Sequence, residues 1–423
     1  MGLAVWAVNT KRLGDNMVAT HNDSYWDFKD AKTTGIHKIA KYPAVMVAPM
    51  QAQILSTLVE GNPSYATMLD PFHGSGVSLV EGGAIGLNVH GIDINPYAHL
   101  IAKVKLNPLD KEATCASNLT VSNKLQNGVT CDRYSFANIS KWFRDDVIED
   151  LSKIRHLIRS VENQEIRNYY WLCFGETVRV HSNTRTSTFK LHAKEKKKIE
   201  AMDNNVFSDF IERIKSYYNF IPDNINSDLY CDDSIEKMKS FNDSYFDIIC
   251  TSPPYGDNST TVTYGQFSSL QLNWIDIEDI GCSKSWLDNF SKIDSASMGG
   301  AYSRHRLSGE YLSLNRFLEK ITKEKHQKVL RFIADYEIAF FEMVRVLSSG
   351  GTMVLTLANR RIDNTEFPLV DITQELASYH GLRLDGLINR NIQNKRMPYK
   401  VSRVSEHGAV SSMSKETVLM FSK

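Results

Sequence analysis

The chain is predicted to fold as an α/β protein around a mostly parallel, roughly seven-stranded sheet, with a largely helical insertion. Three patterns predict it. A strand, glycine turn, helix and second strand follow one another within residues 66–93. A short apolar run, Tyr245–Cys250, then breaks abruptly into two prolines, and a long helical pattern between two strand-like runs closes the chain. Alternation of this kind is what a parallel sheet covered by helices requires.

The elements are expected in the following order. Residues 44–60, after Tyr42-Pro43, place apolar side chains at helical spacing. Ala66–Asp70 reads as a strand and Pro71-Phe-His-Gly-Ser-Gly76 as a turn. A helix from Val77 to about Gly86 follows, then a strand Val89–Asp93 ending in Ile94-Asn-Pro96. From about 106 to 225 the rhythm changes to charged and polar helical segments such as Asp145 to Arg159, read as the insertion. Strands resume at Asp228–Cys231 and Tyr245–Cys250, and 268–325 is expected to be a second, irregular insertion. A helix from about Lys328 to Leu347 buries a stripe of Phe332, Tyr336, Phe340 and Met343 and feeds the strand Thr352–Leu357. Arg383–Ile388 and Thr417–Phe421 complete the sheet. The α/β unit is thus divided between 1–105 and 226–423, with 106–225 inserted between the two parts.

At 423 residues the chain exceeds one ordinary domain. Lys+Arg and Asp+Glu are 49 each, so a surface for nucleic acid must come from local clustering. The six cysteines are scattered without a Cys-x-x-Cys pair, which argues against zinc and a disulfide framework and fits a reducing compartment. No run of about 18 apolar residues occurs. The expectation is a soluble, cytoplasmic protein without a metal.

Gly74 and Gly76 lie at the carboxyl end of a strand, where open α/β sheets bind ligands and backbone approaches them closely. A third glycine at dinucleotide spacing is missing, since position 79 is Leu. Asp93 ends the next strand, placed to accept both hydroxyls of a ribose, so a single-nucleoside cofactor fits better than a dinucleotide. Asp232 or Asp233 is a candidate acceptor for an adenine amino group, although an Asp pair before Ser234 is equally an ordinary helix cap.

Thr251-Ser-Pro-Pro-Tyr255 carries the sharpest signal. Two prolines without N–H groups hold the nearby carbonyls outward as acceptors that no strand neighbour can use. Tyr255 adds an aromatic face beside them, suited to stacking on a nucleobase.

Together, Asp70-Pro-Phe-His-Gly-Ser-Gly76 and Thr251-Ser-Pro-Pro-Tyr255 resemble the cofactor and catalytic loops of the amino-group DNA methyltransferases, which methylate N4 of cytosine or N6 of adenine. The resemblance covers roughly residues 25–105 and 226–423, which make up the catalytic domain it implies, and leaves the insertion 106–225 as the candidate DNA-recognition region. It implies a Rossmann-like methyltransferase fold and S-adenosylmethionine as cofactor, contacted by Tyr42, Asp70, Phe72, Gly74, Gly76, Asp93, Asp232 and Asp233. The stretch from His37 to Gln51 corresponds to the family's auxiliary N-terminal motif, under the methionine end of the cofactor. Ser252, Pro253, Pro254 and Tyr255 become the catalytic set, with the Ser252 side chain and the Pro253 carbonyl accepting the two amino hydrogens of a flipped-out base.

The Ser-Pro-Pro-Tyr form is similar to that of N4-cytosine enzymes, in which a restriction-modification role with double-stranded DNA and a cognate endonuclease as partners is implied. The cofactor loop precedes the catalytic loop, whereas many N4-cytosine enzymes have the reverse order, so N6-adenine methylation stays open. RNA guanine-N2 methylation and a non-catalytic nucleic-acid binder are weaker readings. Carbon-5 methylation needs a cysteine nucleophile; no Pro-Cys dipeptide exists, and Cys250 reads as a small buried strand residue.

Residues 179–198 contain seven Lys/Arg against one acid, a composition for phosphate contact, with Arg179, Arg185, Lys190, Lys196 and Lys197 as candidates. Arg390–Pro398, with Lys395 and Arg396, is a second cluster. Tyr255–Phe267, with Gly256 and Gly265 as pivots, is expected to close over the base.

Overall fold

The computed structural model describes residues 25–222, 225–257, 262–282, 291–300, 305–392, 400–401, 410–411 and 415–423. Seven strands make one sheet: β1 (Thr67–Asp70), β2 (Asn88–Asp93), β3 (Ser227–Cys231), β4 (Phe246–Thr251), β5 (Leu347–Leu357), β6 (Arg383–Asn391) and β7 (Lys415–Ser422). Their spatial order is β3-β2-β1-β4-β5-β7-β6. All neighbours are parallel except β7, which runs antiparallel to both β5 and β6. The chain builds outward from β1 to β3, then returns to the other side of β1 with β4. A topological switch point therefore lies between the carboxyl ends of β1 and β4, where sheets of this kind open a crevice.

Period-two alternation decides which face each strand residue joins. Met68, Ile248, Val354 and Val418 point into one core. Their neighbours Leu69, Ile249, Leu355 and Leu419 point into the other. The second face is covered by the helix Lys323–Val346, whose Phe332, Tyr336, Phe340 and Met343 are buried as the stripe predicts, and by Leu369–Tyr379.

The segment 106–225 is helical, as expected, but its apolar core is continuous with that of the sheet's first face. The helix Gln164–His181 is almost wholly buried and lies on Pro96–Leu106. Gly175 permits the close approach, because a Cβ there would meet the Tyr97 ring at 2.8 Å. The Tyr97 hydroxyl donates to Glu176 Oε1 at 3.1 Å across the same contact. Residues 268–325, expected to be irregular, carry helices at Tyr264–Trp274, Ser291–Ala296 and Leu312–Leu318. β5 also begins at Leu347, five residues before the expected Thr352; a register irregularity against β4 between Phe246 and Ile248 accommodates Ser348-Ser-Gly-Gly351. No helix among the described residues is long and apolar enough to cross a membrane.

Candidate active site

The switch point is where the two loops meet. Asp70, the last residue of β1, is fully buried, and each of its oxygens is taken. Oδ1 accepts from the Phe72 N–H at 3.0 Å and from Thr251 Oγ1 at 2.6 Å, and Oδ2 accepts from Ser78 Oγ. Burial pushes its carboxyl above the ordinary value, and the Ser78 and Thr251 hydroxyls oppose the rise. Asp70, expected among the cofactor contacts, is instead buried beneath the glycine loop and braces it against the end of β4.

Gly74 and Gly76 are both left-handed, with φ of 51° and 74°. A Cβ on Gly76 would meet Ala102 Cβ at 3.0 Å, so glycine is required there on two counts. Under the loop, the Lys105 ammonium is 1% exposed and donates to the Ser75 carbonyl at 2.8 Å. Burial holds its pKa down to about 7. The same burial drives His99 down to about 3, so that imidazole is neutral. His73 is buried within the loop, its Nδ1 near the Gly74 carbonyl at 2.9 Å.

Asp93 ends β2 beside this loop. Its Oδ2 accepts from the Gly74 N–H at 2.9 Å and its Oδ1 from the Asn95 N–H at 2.8 Å. A carboxylate offers about four acceptor positions, so these two bonds leave Asp93 capacity to accept more. Asn95, which sequence reasoning passed over, is buried and donates to the Tyr42 hydroxyl at 3.0 Å and to Ser268 Oγ at 2.8 Å. Tyr42 in turn stacks on Tyr264 with ring centroids 5.6 Å apart. Its ring would lie 3.6 Å from a Cβ on Gly74, so Tyr42 roofs the glycine loop.

The Asp232/Asp233 pair is divided by the fold. Asp233 caps the helix Ser234–Lys239 by accepting from the Glu236 N–H at 3.0 Å, the ordinary alternative for that residue. Asp232 is exposed next door, its N–H bonded to the Asp93 carbonyl at 3.1 Å. Two carboxylates on adjacent strand ends, beside a glycine loop, form an acceptor set suited to ribose hydroxyls and an exocyclic amine. Phe72 is half-buried between this loop and the second core.

At the end of β4, Ser252 Oγ lies 3.0 Å from the Tyr255 hydroxyl. Glu416 on β7 lies near that hydroxyl and pairs with the buried Arg390 of β6. Burial pushes the Glu416 carboxyl up, while Arg390 and Tyr255 hold it back. Arg390 had been grouped with the basic cluster that follows it, but it is an internal ion pair beneath Tyr255. Lys395 and Arg396 lie outside the described residues. Cys250 is a buried strand residue as expected, its thiol donating to Gln51 Oε1 at 3.2 Å and its pKa raised by burial.

Among the basic candidates, Arg179 is a correction. It is 8% exposed on the buried helix and faces Glu176 at 3.3 Å, because helical periodicity turns position 179 inward. Arg185 and Lys190 are exposed on the following loop, and Lys196 and Lys197 are exposed on the short helix Lys196–Glu200. That loop packs on the helix Tyr264–Trp274, with Phe189 edge-on to Phe267 at 6.1 Å, so its cations stand beside the roof of the cleft. Among the described residues no group of three or more His, Cys, Asp or Glu could hold a metal ion.

No protein-family model matches the chain. It is, however, 31% identical to the Type II methyltransferase M.MvaI of Kocuria varians over 97% of its own length and 95% of that protein's. A match of that extent takes in most of residues 106–225, for which the motifs had offered no counterpart. A second relative, the Type II methyltransferase M.MjaII of Methanocaldococcus jannaschii, is 44% identical over 57 residues, 14% of this chain and 11% of that protein.

Proposed function

The chain belongs to the Type II methyltransferases, and we propose that it transfers methyl from S-adenosylmethionine to the exocyclic N4 of cytosine, flipped out of double-stranded DNA, as the modification half of a restriction-modification pair. The single observation that carries this reading is the joining of the glycine loop to the Ser-Pro-Pro-Tyr loop by the Thr251–Asp70 hydrogen bond at the switch point. A methyl donor in the first loop and an amine in the second would lie side by side.

The cofactor, when bound, supplies an electrophilic methyl group. Asp93 and Asp232 would hold its ribose and adenine, Gly74 and Gly76 would let the main chain approach it, and Tyr42 and Phe72 would line its flanks. The remaining work falls to the catalytic loop. An exocyclic amine is a poor nucleophile while its lone pair is delocalised into the ring. Ser252 Oγ and the Pro253 carbonyl, by accepting its two hydrogens, favour a pyramidal nitrogen, so catalysis is positional and electrostatic.

A hydroxyl has one donor and two lone pairs. If Tyr255 turns its proton toward the neighbouring Glu416, its oxygen would receive the Ser252 proton, and Ser252 would present only lone pairs to the amine. The ring of Tyr255 offsets part of the few kcal/mol that flipping costs.

Incubation with methyl-labelled S-adenosylmethionine and duplex DNA, followed by digestion to nucleosides, tests the assignment. Label in N4-methylcytosine is the expected result. Label in N6-methyladenine would overturn the base, and label in RNA alone would overturn the DNA reading.

A further inference from the structure

A second concave feature opens one residue beyond the catalytic tetrapeptide. It is a cleft of about 240 Å³ between the start of the helix Lys323–Val346, the segment after β5 and Gly256-Asp257. Its floor is apolar, with Phe332 and Phe367 among its lining, and its walls bring together Lys325, Lys328, Arg360 and Arg361. Two carboxylates, Asp257 and Asp363, also line it, leaving a formal excess of two positive charges.

The charges are arranged in depth. Asp257 is 4% exposed at the back, where Lys328 Nζ stands 2.9 Å and Arg360 Nη1 3.3 Å from its two oxygens. Asp363 accepts from the Thr322 N–H and hydroxyl at 3.1 and 2.8 Å. Lys325 and Arg361 are exposed at the mouth. Arg360 runs so close to the catalytic loop that a Cβ on Gly256 would meet its Nη1 at 2.1 Å.

We propose that this cleft seats the sugar-phosphate backbone of the DNA strand that carries the target base. Phosphate would lie against Lys325 and Arg361 at the mouth, and the sugar against the apolar floor. An apolar floor under a cationic rim matches an amphipathic strand, and backbone contacts of this type fix register without reading sequence. The placement also has a mechanical logic: gripping the chain next to the flipped nucleotide prevents its return to the stack. The inference rests on the DNA reading above.

The test compares wild type with the double variant K325Q/R361Q, which leaves the Asp257 pairs intact. The control is K239Q/R383Q, which removes the same charge far from the cleft. Affinity for a duplex containing the methylated site is measured from 50 to 200 mM salt, and S-adenosylmethionine affinity is measured in parallel. Each lost phosphate contact lowers the slope of log K against log salt by about 0.9. The expected result is a slope smaller by about 1–2 in K325Q/R361Q only, with cofactor affinity unchanged. Equal slopes in wild type and K325Q/R361Q, an equal change in the control, or a loss of cofactor affinity would overturn the proposal. Failure of the wild type to bind duplex at all would instead remove the DNA reading, and the cleft's assignment with it.

Discussion

Thr251 Oγ1 stands 2.6 Å from Asp70 Oδ1, so the last residues of two adjacent parallel strands are tied directly beneath the loops they launch. The tie fixes the distance between the glycine turn and the Ser-Pro-Pro-Tyr loop. Losing it leaves Asp70, already buried and disfavoured as an anion, one donor poorer.

Thr251→Val is therefore expected to destabilise the fold by about 1–3 kcal/mol, the usual result of leaving a buried polar group short of a partner. Thr251→Ser keeps the hydroxyl and should recover most of the loss. Urea unfolding of the three proteins checks this, and an unaltered midpoint for the valine variant would contradict it.

Ser252→Ala should lower kcat far more than cofactor affinity, because in the proposed mechanism its acceptor acts on the amine and not on the donor. Glu416→Gln and Tyr255→Phe should each reduce kcat by about tenfold or more, the scale of one displaced hydrogen bond to a charged group. Their double variant should be little worse than either alone, since both break one relay. Single-turnover rates with calorimetric cofactor titration separate these effects; full additivity would argue against the relay.

Asp93→Ala should do the opposite of Ser252→Ala. It removes the carboxylate that accepts from the Gly74 and Asn95 N–H groups, and with it the candidate ribose acceptor. Cofactor affinity is expected to fall about 10- to 100-fold, with a smaller change in the rate at saturating cofactor. A larger effect on turnover than on binding would refute the assignment.

Lys105 makes stability depend on pH. Its folded-state pKa of about 7 lies below the ordinary 10.5, so between these values the unfolded chain binds more protons and stability rises with pH. Below about pH 7 both states are protonated and the cost of the buried ammonium is felt in full. Lys105→Met should flatten the rise between pH 7 and 10, where the native slope reaches up to about 1.4 kcal/mol per pH unit. Thermal melts across that range decide it; an identical slope in the variant would place its source elsewhere.

Local chemistry made much of this architecture legible. Gly74 and Gly76 predicted a turn, which the structure builds with positive φ at both, and the helix Asp145–Arg159 was read to the residue from its pattern. Both are properties of neighbours along the chain. The same limitation misassigned Arg179, since composition shows that a segment is basic but not which cations face inward toward a partner such as Glu176. It also left the Asp232/Asp233 choice open; the structure shows that Asp233 caps a helix while Asp232 stays exposed.

By itself, then, the sequence determined the α/β class, the two loops and the residue types they present, because turns, caps and alternation are encoded within a few positions. Only the tertiary structure decided that β4 inserts beside β1, that Glu416 and Arg390 lie beneath Tyr255, and that a cationic cleft borders Gly256. Those relationships join residues 181 positions apart for Thr251 and Asp70 and 103 apart for Asp257 and Arg360, and burial of both sheet faces against helices is what brings them together.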